Sequence, residues 1–330
     1  MQVIMRSQKN FTIIGNMKGD DLIMAKNIKH QIQQAINNAF DENIDKHAFK
    51  KQNLKEKTKI FSFQEKFRLL DTAKMLNNFI KENYKDIKQI KDIDSNIIQN
   101  FLNTKKDNCT QNTINTYKQS LNKIADICNK NYKSCNLDWK SNVVVPAVEN
   151  KRSNLRGVKN QIPVNDLKLI CNHCKNNFSK SQSAQIILIQ SILGIRINEI
   201  LNIKKENIDF NKNIIHLTNC KGGKNLDRTI NKELKHVLMS SIEINNIQSG
   251  KLFNITDNAV NKFLGRLEKN LNISGSFSTH NIRATIAQNK FDELRENGTS
   301  RDVAIKEVSH WLNHGDNREA MLKECYVNIW

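Results

Sequence analysis

The sequence predicts a mainly α fold with one small antiparallel three-stranded sheet, divided into an all-helical first half and an α+β second half. Three observations carry this expectation. Apolar residues before about residue 145 recur at three- and four-residue spacings, the period of one helix face. Three short alternating segments with turn residues between them interrupt the helical pattern only near residues 207–230. The only two prolines, Pro146 and Pro163, bracket a polar, basic stretch, Val148 to Gly157, that has the composition of a linker.

In the first half, Asp20 to Phe40 is a helical candidate, and the sequence leaves open whether residues 1–54 form an arm, a third module or part of the bundle. Phe61 to Asn83 places Phe63, Phe67, Leu70, Ala73, Leu76, Phe79 and Ile80 along one face. Asp94-Ser95 opens a short helix with Ile97, Ile98, Phe101 and Leu102, and Thr110 stands as N-cap of a third with Ile114, Tyr117, Leu121, Ile124 and Ala125 as its stripe. Residues 55–145 therefore read as a small helical bundle, and residues 146–160 as a basic linker.

In the second half, residues 161–330, a helix runs from Val164 to about Asn176. A strongly apolar one runs from Ser181 to Leu193 and stops at Gly194, where a C′ glycine belongs. Ile195 to Ile203 resumes helix. Asn207 to Phe210, Ile214 to Thr218 and Asp227 to Ile230 read as strands, turned by Asn211-Lys212-Asn213 and Lys221-Gly222-Gly223-Lys224. From Asn231 onward the pattern returns to helices.

Charge points to a polyanionic partner. The chain has 52 Lys+Arg against 33 Asp+Glu, a formal net charge of +19. Residues 1–150 hold 25 basic and 16 acidic side chains and residues 151–300 hold 23 and 12, so the excess belongs to both halves and not to one tail. A basic bias of the whole proteome would give the same excess, and for the linker the alternative is a solvated loop. No apolar run approaches a membrane span and no signal-peptide core opens the sequence. Seven cysteines, an odd and scattered set, fit reduced thiols and a cytoplasmic protein. Cys171-Asn172-His173-Cys174 lacks a second Cys/His pair at finger spacing, so it reads as a helix carrying thiols and no metal site is expected.

Candidate chemistry lies in the second half. Arg196 follows Gly194 at a helix start, where its guanidinium could meet a ligand or simply pair with Glu199 three residues on. His280 and Arg283 stand one turn apart behind the capping residues Ser278 and Thr279. His314 precedes Gly315, with His310 as a competitor, and Tyr326 is the only tyrosine after Tyr132. Each is ambiguous alone. A phenol with arginines, a lysine and histidines, and no carboxylate cluster, suits metal-free attack on a phosphodiester.

Taken in order, these residues resemble the tyrosine recombinase, or phage integrase, family, especially integrases of mobile elements. The matches are Gly-x-Arg-x-x-Glu at 194–199, the turn lysine Lys221, His-x-x-Arg at 280–283, Leu-x-His at 312–314, and Tyr326. Asn313 stands where the family has glycine, the interval from His314 to Tyr326 is longer than usual, and only Val327 to Trp330 follow the tyrosine. The resemblance implies a SAM-like core-binding bundle and a catalytic domain that together form a C-shaped clamp on double-stranded DNA, with four protomers on two duplexes. It assigns Tyr326 as nucleophile, Arg196 and Arg283 to the phosphate oxygens, Lys221 (or Lys224) to the leaving 5′-oxygen, His280 as base or proton relay and His314 as a donor. Lys118, Lys123, Lys130, Lys151, Arg152, Arg156 and Lys224 become phosphate contacts. No cofactor is expected. A relaxing topoisomerase of the same chemistry, or a DNA-binding protein without catalysis, are the competing readings.

Overall fold

A computed structural model describes residues 27–42, 44, 49, 57–148, 161–220, 223–314 and 318–329. Lys151, Arg152, Arg156 and Lys221 lie outside the described residues. The chain divides into two compact units, residues 1–153 and 154–330. No helix among the described residues is long and apolar enough to cross a membrane.

The first unit is built from α1 (Ile28–Ala39), α2 (Phe63–Asn83), α3 (Ser95–Asn103) and α4 (Gln111–Asn131). Each begins where a short polar side chain takes up an otherwise unpaired backbone N–H: Asn27, Ser62, Asp94 and Thr110 accept from residues two or three further on. The α1 face of Ile28, Ile32, Ala35 and Ile36 enters the same core as Leu69, Leu76, Ile98, Phe101, Leu121 and Ile124, so residues 28–39 are part of the bundle. Gln31, buried in α1, accepts from the Ile90 N–H at 2.8 Å and its carbonyl accepts from the Tyr132 hydroxyl at 2.8 Å, tying both ends of the bundle to that helix.

Two of the expected phosphate contacts are already engaged within the protein. Lys118 is 8% exposed, and its ammonium donates to the Trp139 carbonyl. Burial holds its pKa below the usual lysine value, against the pull of Asp138. The reason is positional: Lys118 lies four residues after Ile114 and three before Leu121, on the core face of α4. Lys123 is occupied by the Lys59 carbonyl and the Glu65 carboxylate, both at 2.6 Å. Lys130 is exposed. Replacing Lys118 with methionine is expected to leave the salt dependence of DNA binding unchanged, whereas losing a phosphate contact lowers the log–log slope by about 1. The bundle should lose about 1–3 kcal/mol as the Trp139 carbonyl loses its donor. Binding titrations at several salt concentrations and a thermal melt test both.

The second unit is organised around α6 (Gln182–Leu193), whose residues Ser183 to Gln190 are all buried. A helix apolar on every side must be surrounded, and α5 (Val164–Asn176), α8 (Lys232–Ile244), α9 (Asp257–Asn270) and α10 (Thr279–Glu296) pack on it. Gly194 ends α6 with φ 60°, and its N–H returns to Gln190 O at 2.8 Å. Helix then resumes only at α7 (Ile197–Leu201), shorter than the expected 195–203, because Arg196 is extended as its N-cap. The sheet has the order β1 (Ile208–Asp209), β2 (Ile214–Cys220), β3 (Lys224–Thr229), antiparallel throughout. Both long strands extend further toward one another's ends, to Cys220 and from Lys224, than their apolar alternation suggests. Pairing continues to Cys220 and Lys224 through a register shift after Leu217, so backbone hydrogen bonds extend the ladder where the side chains are polar. The last two helices, α11 (Arg301–Trp311) and α12 (Glu319–Cys325), pack with the second half of α10 around Phe291, Ile305, Val308 and Leu322, and this cluster takes in Tyr326 and Val327.

Cys171 and Cys174 lie on α5. Burial raises both thiols, Cys174 to about 12, and among the described residues no group of three His, Cys, Asp or Glu is placed to hold a metal ion.

Candidate active site

Five of the six expected catalytic residues are described, and they meet where three elements come together. The first is the turn at Gly194. A Cβ there would lie 2.5 Å from Trp311 Cη2, so only glycine lets the α6–α7 turn close on that ring. Arg196 follows, held twice by Glu199: the Arg196 N–H donates to Oε2 at 2.8 Å and Nη1 donates to Oε1 at 2.9 Å. Glu199 is buried, with Arg196 partly exposed, so the pairing that sequence offered as an alternative to ligand binding is present and fixes the guanidinium on a rigid helix start.

The second element is the start of α10. His280 is exposed, whereas Arg283 one turn later is 1% exposed and reaches inward to Gly194 O at 2.8 Å and Leu312 O at 2.6 Å. Its Nε–H is buried without a hydrogen-bond partner among the described residues. Burial pushes the Arg283 pKa down, the Arg196 charge pushes the same way, and Tyr326 and Glu199 oppose them. A permanently cationic group held beside a second arginine is chemically suited to an anion.

The third element is the end of α11. Asn313 takes φ 54°, the left-handed conformation that a glycine would adopt there and that asparagine tolerates better than most residues, and the His314 N–H returns to Ser309 O at 3.0 Å. His314 is buried and His310 is exposed on α11, so it is His314 that this turn brings inward.

Tyr326 closes the cluster. Its ring is 5% exposed, with centroids 5.3 Å from His280 and 5.1 Å from His314, and the Arg283 guanidinium carbon 5.7 Å from the ring centre. The backbone after α12 is tied down as well. Gln161 Nε2 donates to Tyr326 O at 2.7 Å and to Gln288 Oε1 at 3.0 Å, and that oxygen also accepts from the Asn328 N–H at 2.6 Å. Arg196, Lys224 and Arg283 come from three separate elements, and Lys224 is exposed at the start of β3.

Sequence reasoning missed three members of this neighbourhood. Arg228 on β3 lies over Trp311, and burial together with Arg283 pushes its pKa down to about 10. Gln161 and Gln288 were unmarked because amides carry no signature of their own. Arg228 had a signal, since an arginine two residues before buried Ile230 alternates onto the covered face of a strand.

Residues 160–322, which hold most of this cluster, match the phage integrase family and form a domain of that family. A curated relative, a probable integrase/recombinase of Acholeplasma phage L2, is 30% identical over 182 residues, which are 50% of this chain and 61% of the relative. The chain thus spans about three fifths of the length of that relative. Among solved structures, XerH site-specific recombinase bound to difH substrate in a pre-cleavage complex aligns with a TM-score of 0.62 at 13% identity, covering 91% of this chain and 95% of that one. A lambda integrase from a tetramer bound to a Holliday junction aligns with a TM-score of 0.57 at 15% identity, covering 83% and 75%. At these identities the likeness is one of fold, the tyrosine recombinase fold.

Proposed function

We propose that the chain is a site-specific tyrosine recombinase that cleaves and rejoins duplex DNA through a 3′-phosphotyrosine at Tyr326, without metal or ATP, to integrate or excise a mobile element. The observation that carries this reading is the packing of the Tyr326 ring against His280, His314 and Arg283 of its own chain, with an unspent Arg283 donor beside it. Arg196 and Arg283 hold the non-bridging oxygens and take up the charge of the pentacoordinate transition state. The Tyr326 oxygen attacks phosphorus as its proton passes to His280, and His314 donates to the phosphate. The P–O5′ bond breaks, and Lys221, with Lys224 as the alternative, protonates the leaving 5′-oxygen. The phosphotyrosine keeps the bond energy, so a 5′-hydroxyl of a second strand reverses the step.

Affinity comes from phosphate contacts by Lys130, Lys224 and the linker residues Lys151, Arg152 and Arg156, which set strength and not sequence. Four protomers join two duplexes in the cytoplasm.

The test is to incubate the protein in EDTA with the DNA flanking its own gene, nicked to trap intermediates, and to map any covalent adduct by peptide mass spectrometry. The expected adduct carries a 3′-phosphate on the peptide containing Tyr326. No adduct on any flanking site overturns the reading; bound DNA without adduct favours an architectural protein, and supercoil relaxation without recombinant product favours a topoisomerase.

A further inference from the structure

Arg228 has no part in the chemistry above, yet it sits against the pocket on two counts. Its Nη2 donates to the Trp311 carbonyl, and its guanidinium carbon lies 5.0 Å from the centre of the Trp311 ring. The next carbonyl along, Leu312 O, accepts from Arg283. Two arginines from different elements therefore hold consecutive carbonyls at the C-terminal end of α11, where unpaired carbonyls and the helix dipole favour cations. Immediately beyond, Asn313 reverses the chain and delivers His314. The Trp311 ring fills the space that Gly194 leaves free, two residues before Arg196. Trp311 thus touches the turn before Arg196 and starts the turn that carries His314, and Arg228 grips it by both ring and carbonyl.

This arrangement is more than a helix cap demands. The Arg228 Nε–H is buried with no partner among the described residues, and the Arg283 charge acts against its own, offset in part by Glu199. A strand could cover Trp311 with an apolar side chain and avoid both costs.

We propose that Arg228 is a positioning residue for strand cleavage: by clamping Trp311 it fixes the His314 turn against Arg283 and the Arg196 turn, so that the phosphate pocket is assembled before DNA arrives. The proposal rests on the tyrosine recombinase reading. A pocket set out of register by about 1 Å loses on the order of 10²-fold in rate while ground-state binding, carried by distant phosphate contacts, stays the same.

The test uses the full chain and the nicked flanking DNA, measuring adduct formation at saturating DNA, the DNA dissociation constant and the melting temperature. Arg228→Ala is expected to slow adduct formation by about 10–100-fold with DNA affinity within about 2-fold of the parent. The double variant Arg228→Ala/His314→Ala is expected to react no more slowly than His314→Ala alone, because Arg228 acts through the turn that carries His314. Should Arg228→Ala fail to fold, Arg228→Lys serves instead: it keeps a donor for the Trp311 carbonyl, loses the planar stack, and is expected to react about 10-fold more slowly with the same non-additivity. Wild-type rate in the Arg228 variant, or multiplicative losses in the double variant, overturns the proposal while the parent's adduct leaves the recombinase reading standing. A parent chain that forms no adduct removes that reading itself.

Discussion

Tyr326→Phe is expected to abolish covalent capture of DNA, a loss of at least ~10⁴-fold, the scale on which removing the nucleophile acts in covalent catalysis. DNA affinity and the melting temperature should barely change. The phenyl ring keeps its place between His280 and His314, and what disappears is one oxygen beside Arg283. Denaturing gels of labelled nicked DNA, run beside a binding titration, separate the two quantities. An adduct of undiminished yield in the phenylalanine variant would move the nucleophile elsewhere, since among the described residues no other tyrosine lies in the second unit.

Arg283→Ala is the second large effect, and it acts on two scales at once. Cleavage should fall by at least ~10³-fold, because a preorganised donor to the transition-state oxyanion is worth about 10²–10³ and this one also holds its neighbours in place. Stability should fall too, by about 2–4 kcal/mol, because Gly194 O and Leu312 O lose charge-assisted hydrogen bonds inside the protein and a cavity opens. The corresponding lysine keeps the charge but cannot serve both carbonyls with one planar fork, so it should recover part of the stability and little of the rate. Thermal melts with adduct kinetics on the same samples check this. A stable Arg283→Ala protein that cleaves at the parent rate would remove the central arginine from the site.

The fold was legible where local rules and tertiary packing agree. Thr110, Asp94 and Gly194 announced helix ends that the structure keeps, and the uniform apolarity of 182–193 announced a helix surrounded on all sides. The pairing of β2 and β3 beyond Leu217 was not legible, because Cys220 and Lys224 pair across a register shift that leaves no side-chain period. Within the site, the spacing of His280 and Arg283 fixed their shared helix, but not that one is exposed and the other buried. That difference comes from the Gly194 and Leu312 carbonyls, 89 and 29 residues away in sequence. Lys118 shows the opposite error: its charge suggested the surface, while its place between Ile114 and Leu121 already put it on the core side. Arg228 could be suspected only from strand alternation, and its partner Trp311 lies 83 residues along the chain.

The amide pair Gln161–Gln288 gives the end of the chain a mechanical character. Tyr326 is anchored before by its N–H to Leu322 O at 2.9 Å and after by its own carbonyl to Gln161, so its backbone is a string fixed at both ends. A string so fixed presents its side chain by rotation about χ1 and χ2 alone. The arc the phenol can sweep is then as wide as one tyrosine side chain, and on the proposed reading a scissile phosphate is delivered to that arc with the accuracy of a rotamer.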